Sequence, residues 1–278
     1  MVDLAKEEKV TKRFIGSMVL ASVFFILLGS AELQAQGVGA TPIAQRQIPY
    51  SITKPGSYYL TGNLITNNAN ITVIDVCCND VVIDLNGFAI IGPGKDSGRN
   101  SFGINNVGSD VVVCNGSVRG FGNVGVHLTA NNNKAENLRV SECSHEIFVG
   151  SNGMIKGCQI QNCFAGINTD HGCRVENNNV QECSLGIYTF GGATPDGGVL
   201  VIGNNCRLCG WRGIYVPGAG CRIEGNTIAL CGIAIDLDEG SDNLFSRNFL
   251  QGNTTNLVGE SDDIDGGSID LSLSNIIR

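Results

Sequence analysis

Aromatic, imidazole, amide and carboxyl side chains recur along this chain at intervals of 20 to 27 residues: His127, Phe148, Asn168, Tyr188, Tyr215 and Asp236, with Asn105 one interval earlier. If each interval is one coil of a stacked sheet, these side chains stand in a row about 4.8 Å apart. Such a row suits a sugar chain: aromatic faces cover the C–H side of each ring and polar groups take the hydroxyls. His127, Phe148, Asn168, Trp211 and Asp236 are the substrate-binding candidates on that logic. Flanking loops add His145, Glu146, Trp211 and Arg212 before the row. After it come Asp170 and His171, then an insertion, FGGATPDGG (190–198), able to wall a cleft. The plainer alternative is that outward aromatics only cover a sheet face, where Tyr and Phe are favoured anyway.

Two reactions fit such a row. Hydrolysis needs an acid and a base carboxyl, about 6.5–9.5 Å apart in an inverting enzyme. Asp170 closes the segment Asn168-Thr169-Asp170, but Asp236 lies three coils away, about 14 Å. Asp196 is on the insertion, where spacing cannot place it. Elimination or epimerisation needs a base and a group that neutralises a carboxylate. Asn168, His171, Tyr188, Arg212 and Tyr215 fall on three consecutive coils and supply both. Asp170, His171, Tyr188, Arg212 and Tyr215 are therefore the catalytic candidates. No metal site and no cofactor is assigned. Cys206 and Cys209 form a C-x-x-C without the second pair a zinc site requires. Glu260, Asp262, Asp263 and Asp265 offer calcium a set of carboxylates without the spacing of a calcium loop, and read as a solvated acidic tail.

The elements that must hold this row are legible as a repeat. One column reads Phe121, Cys143, Cys163, Cys183, Cys209, Cys231, Asn253, with spacings of 22, 20, 20, 26, 22 and 22. Eight residues before each lies an apolar position, from Val113 through Ile155 and Val201 to Phe245. Three before lies another, from Val118 to Leu250. Four or five after comes a third, from Val126 to Leu257, usually preceded by Gly. Two further on, Leu128, Val149, Thr169, Thr189, Val216 and Leu237 also suit an interior. Each coil therefore holds three short strands of period-2 alternation separated by turns. No run is long enough for a helical crossover, so each strand pairs with its equivalent one coil on and the stack buries one core. Asn178, Asn204, Asn226 and Asn248 make a further column at one turn. Asn tolerates the left-handed backbone and can pass side-chain hydrogen bonds from coil to coil.

Twelve Cys in an exported chain suggest disulfides. The repeat argues otherwise, since five of them share one inward column about 4.8 Å apart, wide for a relaxed disulfide. A reduced stack of buried thiols is expected.

Lys6, Lys9, Lys12 and Arg13 precede an apolar run from Phe14 to Gly29, with Ala35 as a cleavage point: the layout of a secretory signal. The run is short for a membrane span, so membrane contact is expected only through this segment before cleavage. Residues 1–35 carry four basic and four acidic side chains, so the mature chain keeps the net charge of −8. That disfavours nucleic acid and anionic membranes. A polysaccharide is the expected partner, and the oligomeric state is left open.

With its Asn ladder and inward stacks, the chain resembles the right-handed parallel β-helix superfamily of pectate lyases, polygalacturonases and alginate epimerases, over roughly residues 60–258. The resemblance implies an all-β, right-handed parallel β-helix solenoid of about eight to nine coils of roughly 22 residues. It also implies a saccharide cleft on the face carrying the row above. The segment Asn168-Thr169-Asp170 is similar to the first polygalacturonase motif; the other motifs of these enzymes are absent. The expected layout is a signal peptide at 1–35, an N-terminal cap at 36–60, the β-helix at 61–258 and a C-terminal cap or tail at 259–278. The expected function is binding or processing of an extracellular polysaccharide on that face, placing the protein outside the cell, in the periplasm or at the cell surface. The alternative is a non-catalytic structural or interaction solenoid. Whether it is an enzyme stays open at this point; if it is, it is a polysaccharide lyase, epimerase or glycoside hydrolase.

Overall fold

The computed structural model describes residues 39–190, 198–237 and 242–259, and the backbone of 276–277. The signal segment, the insertion residues 191–197 with Asp196, and the acidic stretch 260–265 lie outside the described residues.

From Thr41 the chain is an all-β, right-handed parallel solenoid of about nine turns, roughly 22 residues apart. One face is a sheet of ten parallel strands in strict chain order. Its central members are Phe102–Asn106, Val124–Leu128, His145–Val149, Ala165–Thr169, Leu185–Thr189, Arg212–Tyr215 and Ile233–Asp236. The other strands join into one sheet of eighteen. Parallel pairing reaches back to Thr41–Ile43, which pairs with Tyr58–Leu60. Tyr50–Ile52 likewise pairs with Ile74–Val76, so part of the 36–60 stretch shares the ladder of the coils.

The repeat columns point inward as their spacing predicts. The columns running from Val113 to Phe245 and from Val118 to Leu250 are buried throughout, and that from Val126 is fully buried as far as Ile235. Burying an Ile or Val contributes about 1.5–3 kcal/mol. A single coil has too little interior to stand alone, which is why neighbours must stack.

Two polar features run through this core. Asn178, Asn204, Asn226 and Asn248 are buried. The Asn178 Nδ2 donates to Asn204 Oδ1 at 3.0 Å, Asn204 Nδ2 to Asn226 Oδ1 at 3.1 Å, and Asn226 Nδ2 to Asn248 Oδ1 at 3.0 Å. Each Oδ1 also accepts the backbone N–H of the Asn before it. The ladder residues are not the left-handed ones, contrary to the sequence expectation. That conformation falls one residue earlier, on Asn177, Gly203, Gly225 and Arg247. The ladder needs Asn for its two-ended side chain, not for its backbone freedom.

The second feature is the thiol column. All twelve Cys are free, and Cys143, Cys163, Cys183, Cys209 and Cys231 are buried. Each donates its S–H to the carbonyl two residues earlier, at 2.9 Å for Cys163 to Gln161 O and 3.3 Å for Cys183 to Gln181 O. Burial pushes the Cys183 thiol up to about 12, so it is a protonated donor.

Candidate functional site

The outward row is realised by strand register: Asp75, Asn105, His127, Phe148, Asn168, Tyr188, Tyr215 and Asp236 are successive partners. Strand sterics explain a second outward column. The face strands bend at the Gly before the Ile or Val, so two consecutive side-chain positions face inward and the residue before them faces out. His145–Val149, for example, runs half-buried, buried, buried, half-buried, buried. The inner corner is tight: a Cβ on Gly186 would lie 2.3 Å from the Gly213 carbonyl oxygen.

This bend corrects one expectation. His145, Glu146 and Arg212 belong to the strands, not to flanking loops. His145 points out, while Glu146 takes the Gly position of its coil and points into the core, fully buried. Its Oε1 accepts the Cys143 N–H at 3.1 Å and its Oε2 has no partner. Burial raises its pKa well above 4.5.

The row divides into distinct places. At its N-terminal end the polar groups form a relay. Asn105 Nδ2 donates to Asp75 Oδ1 at 2.9 Å, and Asn105 Oδ1 lies 2.9 Å from His127 Nδ1. A carboxylate only accepts, which turns the amide nitrogen toward Asp75 and the amide oxygen toward the imidazole. Nδ1 of His127 must then carry the proton, which leaves Nε2 as the acceptor. The ring is held between Phe102 and Phe148, with centroids 5.5 and 5.3 Å away. Burial, then His145, lowers the His127 pKa below 6.5.

His127, Phe148, Asn168 and Tyr188 line a cleft of about 310 Å³. His145, Phe164 and Phe190 complete its walls. Phe164 and Phe190 are about half exposed, and Phe190 packs on Tyr188 at 4.3 Å. The side chain of Asn168 is almost wholly buried, and its Oδ1 has no hydrogen-bond partner. Phe164 and the outward column through Val124, Ala165 and Leu185 were not singled out from the sequence, whereas Phe190 opens the insertion expected to wall a cleft. The available signal was the residue before each Gly, which the bend turns outward.

Further along, Tyr188 stacks on Tyr215 at 5.0 Å and 19°. The Arg212 guanidinium lies 4.0 Å from the ring centres of both Trp211 and Tyr215. Its Nε is paired with Asp236, whose side chain is 3% exposed. Asp236 is therefore not a carboxylate presented to solvent, as its place in the row suggests; the pair is closed on itself. None of Trp211, Arg212, Tyr215 and Asp236 lines the cleft.

Asp170 and His171 stand apart again, at the turn after Ala165–Thr169, and neither lines the cleft. His171 Nδ1 lies 2.8 Å from Asp170 Oδ1, and the Ser151 hydroxyl donates to Asp170 Oδ2 at 3.1 Å. Ser151 Oγ is also 3.4 Å from the same His171 nitrogen. A serine relay needs the acid on one imidazole nitrogen and the hydroxyl on the other; here both share Nδ1, so no nucleophile is activated. Burial alone would raise the Asp170 pKa. The backbone N–H and imidazole of His171, with Ser151, outweigh it and hold the carboxyl below 3.8.

A family model described as NosD, periplasmic copper-binding protein, matches residues 79–267. The sequence matches no curated protein. Among solved structures, the Dettilon tailspike protein (gp208) is 14% identical with a TM-score of 0.51; the match covers 86% of this chain and 60% of that one. The mannuronan C-5 epimerase A-module (AlgE4) of Azotobacter vinelandii is 12% identical with a TM-score of 0.38, covering 80% of this chain and 87% of that one. The chain thus spans about 60% of the tailspike's length, and the likeness is one of fold. Copper in the family description prompts a test of the donor set. Among the described residues no three His, Cys, Asp or Glu side chains converge on a metal position. The column thiols donate to carbonyls, and His127 and Asp170 are committed to the partners above. The described residues do not fit a copper centre.

Proposed function

The chain belongs to the NosD family of periplasmic β-helix proteins, and from that premise we propose that it binds an extracytoplasmic polysaccharide in the cleft between His127 and Tyr188. It works in the periplasm, at the cell surface or outside the cell. The segment 1–35 is the signal that delivers it there.

One observation carries the reading. The Asn168 amide is almost wholly buried, its Oδ1 has no partner, and it lines a cleft walled by Phe148 and Tyr188. An unpaired buried polar group costs about 1–3 kcal/mol. A sugar hydroxyl pairs with this amide while the ring lies on the aromatic faces.

The carboxylates on this face favour binding over hydrolysis. Asp236 is tied to Arg212, and Asp170 is tied to His171 and Ser151. Neither reaches the cleft lining, so among the described residues no acid and base flank a glycosidic bond there.

Affinity electrophoresis of the mature chain through gels cast with a panel of polysaccharides tests this. At least one should retard the wild type, and Tyr188→Ala should weaken that retardation about tenfold, given about 0.5–1.5 kcal/mol for an aromatic face beyond its area. Equal mobility in every gel would remove the reading.

A further inference from the structure

The chemistry of the cleft lining points to one class of sugar. Among the described residues no Asp, Glu, Lys or Arg lines it; its polar members are Asn123, His127, His145, Asn168 and Tyr188. Burial lowers the pKa of both imidazoles below 6.5, so both are uncharged at neutral pH.

We infer that the cleft selects an uncharged sugar, whose hydroxyls meet the acceptor His127 Nε2 and the amide of Asn168, which stand one coil to either side of the Phe148 ring. This deepens the proposed function and rests on it. His127 Nε2 accepts because the Asp75–Asn105 relay places the proton on Nδ1. The Asn168 Oδ1 is shut in without a partner, so the atom its amide offers the cleft is the Nδ2 donor. One group asks the ligand for a donor and the other for an acceptor. The hydroxyl of a neutral sugar is both, and its C–H face lies on Phe148 and Tyr188.

A uronic acid brings a carboxylate instead. It would shed water in a site whose described lining holds no cation. Arg212, two coils beyond Asn168 on the same face, is already paired with Asp236, and Arg99 stands behind His145 without lining the cleft. The acceptor His127 Nε2 repels an anion, and the net charge of −8 opposes the approach of a polyanion. An amino sugar is the other charged alternative, since aromatic faces attract cations. Its ammonium would need a carboxylate to replace its hydration, and the described lining has none.

Three hexasaccharides with the same β-1,4 linkage separate these cases: glucose, mannuronate and glucosamine carrying permanently charged N,N,N-trimethylammonium groups, titrated by calorimetry at pH 7.5 into the mature chain. The glucose hexamer should bind at least tenfold more tightly than either charged one. Asn168→Ala should reduce that affinity about tenfold, and Asn105→Leu, which frees the His127 tautomer, by a smaller factor. Tighter binding of the mannuronate or glucosamine hexamer overturns this inference and leaves the glycan cleft standing. An unchanged affinity in Asn168→Ala overturns the role given to its amide. Binding of none of the three removes the cleft as a glycan site altogether.

Discussion

The two ends of the outward row differ in what their polar groups do. Around His127 and Asn168 the groups are uncharged, and His127 Nε2 and the Asn168 amide are left to a cleft. Around Arg212 and Asp236 the groups carry full charges, and they satisfy each other under Trp211 and Tyr215. By residue type the charged end looks the more chemical. By geometry it is closed, and the uncharged end is the one that can take a ligand. Charged side chains on a sheet face neutralise one another when the register allows. An amide or imidazole that passes a hydrogen bond along the row keeps a second atom available.

Breaking the charged end should have the largest effect, and on stability. Arg212→Ala leaves the Asp236 carboxylate, 3% exposed, without its cation. A loss of about 3 kcal/mol in urea unfolding at pH 7 is expected for such a pair. A loss under about 1 kcal/mol would mean that the pair is solvated and the end open, which erases the contrast.

Glu146 sharpens the comparison from beneath the uncharged end. Below its ordinary value of 4.5, folded and unfolded states both hold its proton, and it imposes no ionisation cost. Above 4.5 the unfolded chain gains an ionisation that the core denies, so stability falls as pH rises until the raised folded pKa is passed. Glu146→Gln removes this dependence. Unfolding curves of the two proteins should stay at a constant offset below pH 4.5 and diverge in favour of Gln as pH climbs. Parallel curves throughout would place an ionised carboxylate under the cleft.

The smallest effect is expected where the sequence offered the most familiar chemistry. The Asp170–His171 pair is exposed, 42% and 51% by side chain. Its depressed carboxyl pKa adds stability above the ordinary 3.8 that is lost as pH falls through the folded value. Solvent screening keeps this within about 0.5 kcal/mol. Asp170→Asn should therefore shift the unfolding midpoint barely at pH 7 and leave glycan binding as in the wild type. A tenfold loss of binding would move the site to that turn.

Much of this was legible in the sequence, and the limits have physical reasons. The 22-residue spacing reveals the coils because each inward column is repeated, and a column's direction is then forced by strand alternation. Asn105 before His127, and Asn168 beside Tyr188, follow from the same spacing. Spacing does not report a bend inside a strand. Glu146 sits where other coils have Gly103, Gly125, Gly166 and Gly186, and only the bend shows that this position faces inward. Nor does spacing tell which outward groups satisfy one another. Asp236 and Arg212 read as two available charges and are one closed pair. Asn168 reads as one amide among many, and its Oδ1 is the acceptor left without a donor.

The contrast between the two ends is tested most directly by titrating one neutral β-1,4 glucose hexasaccharide into three proteins: wild type, Tyr188→Ala and Trp211→Ala. Tyr188 lines the cleft, while Trp211 is half exposed at the charged end, so its removal leaves the core intact. A loss of about tenfold in Tyr188→Ala with less than a twofold change in Trp211→Ala is the expected result. The reverse order, with Trp211→Ala the weaker binder, would contradict the placement of the site at the uncharged end.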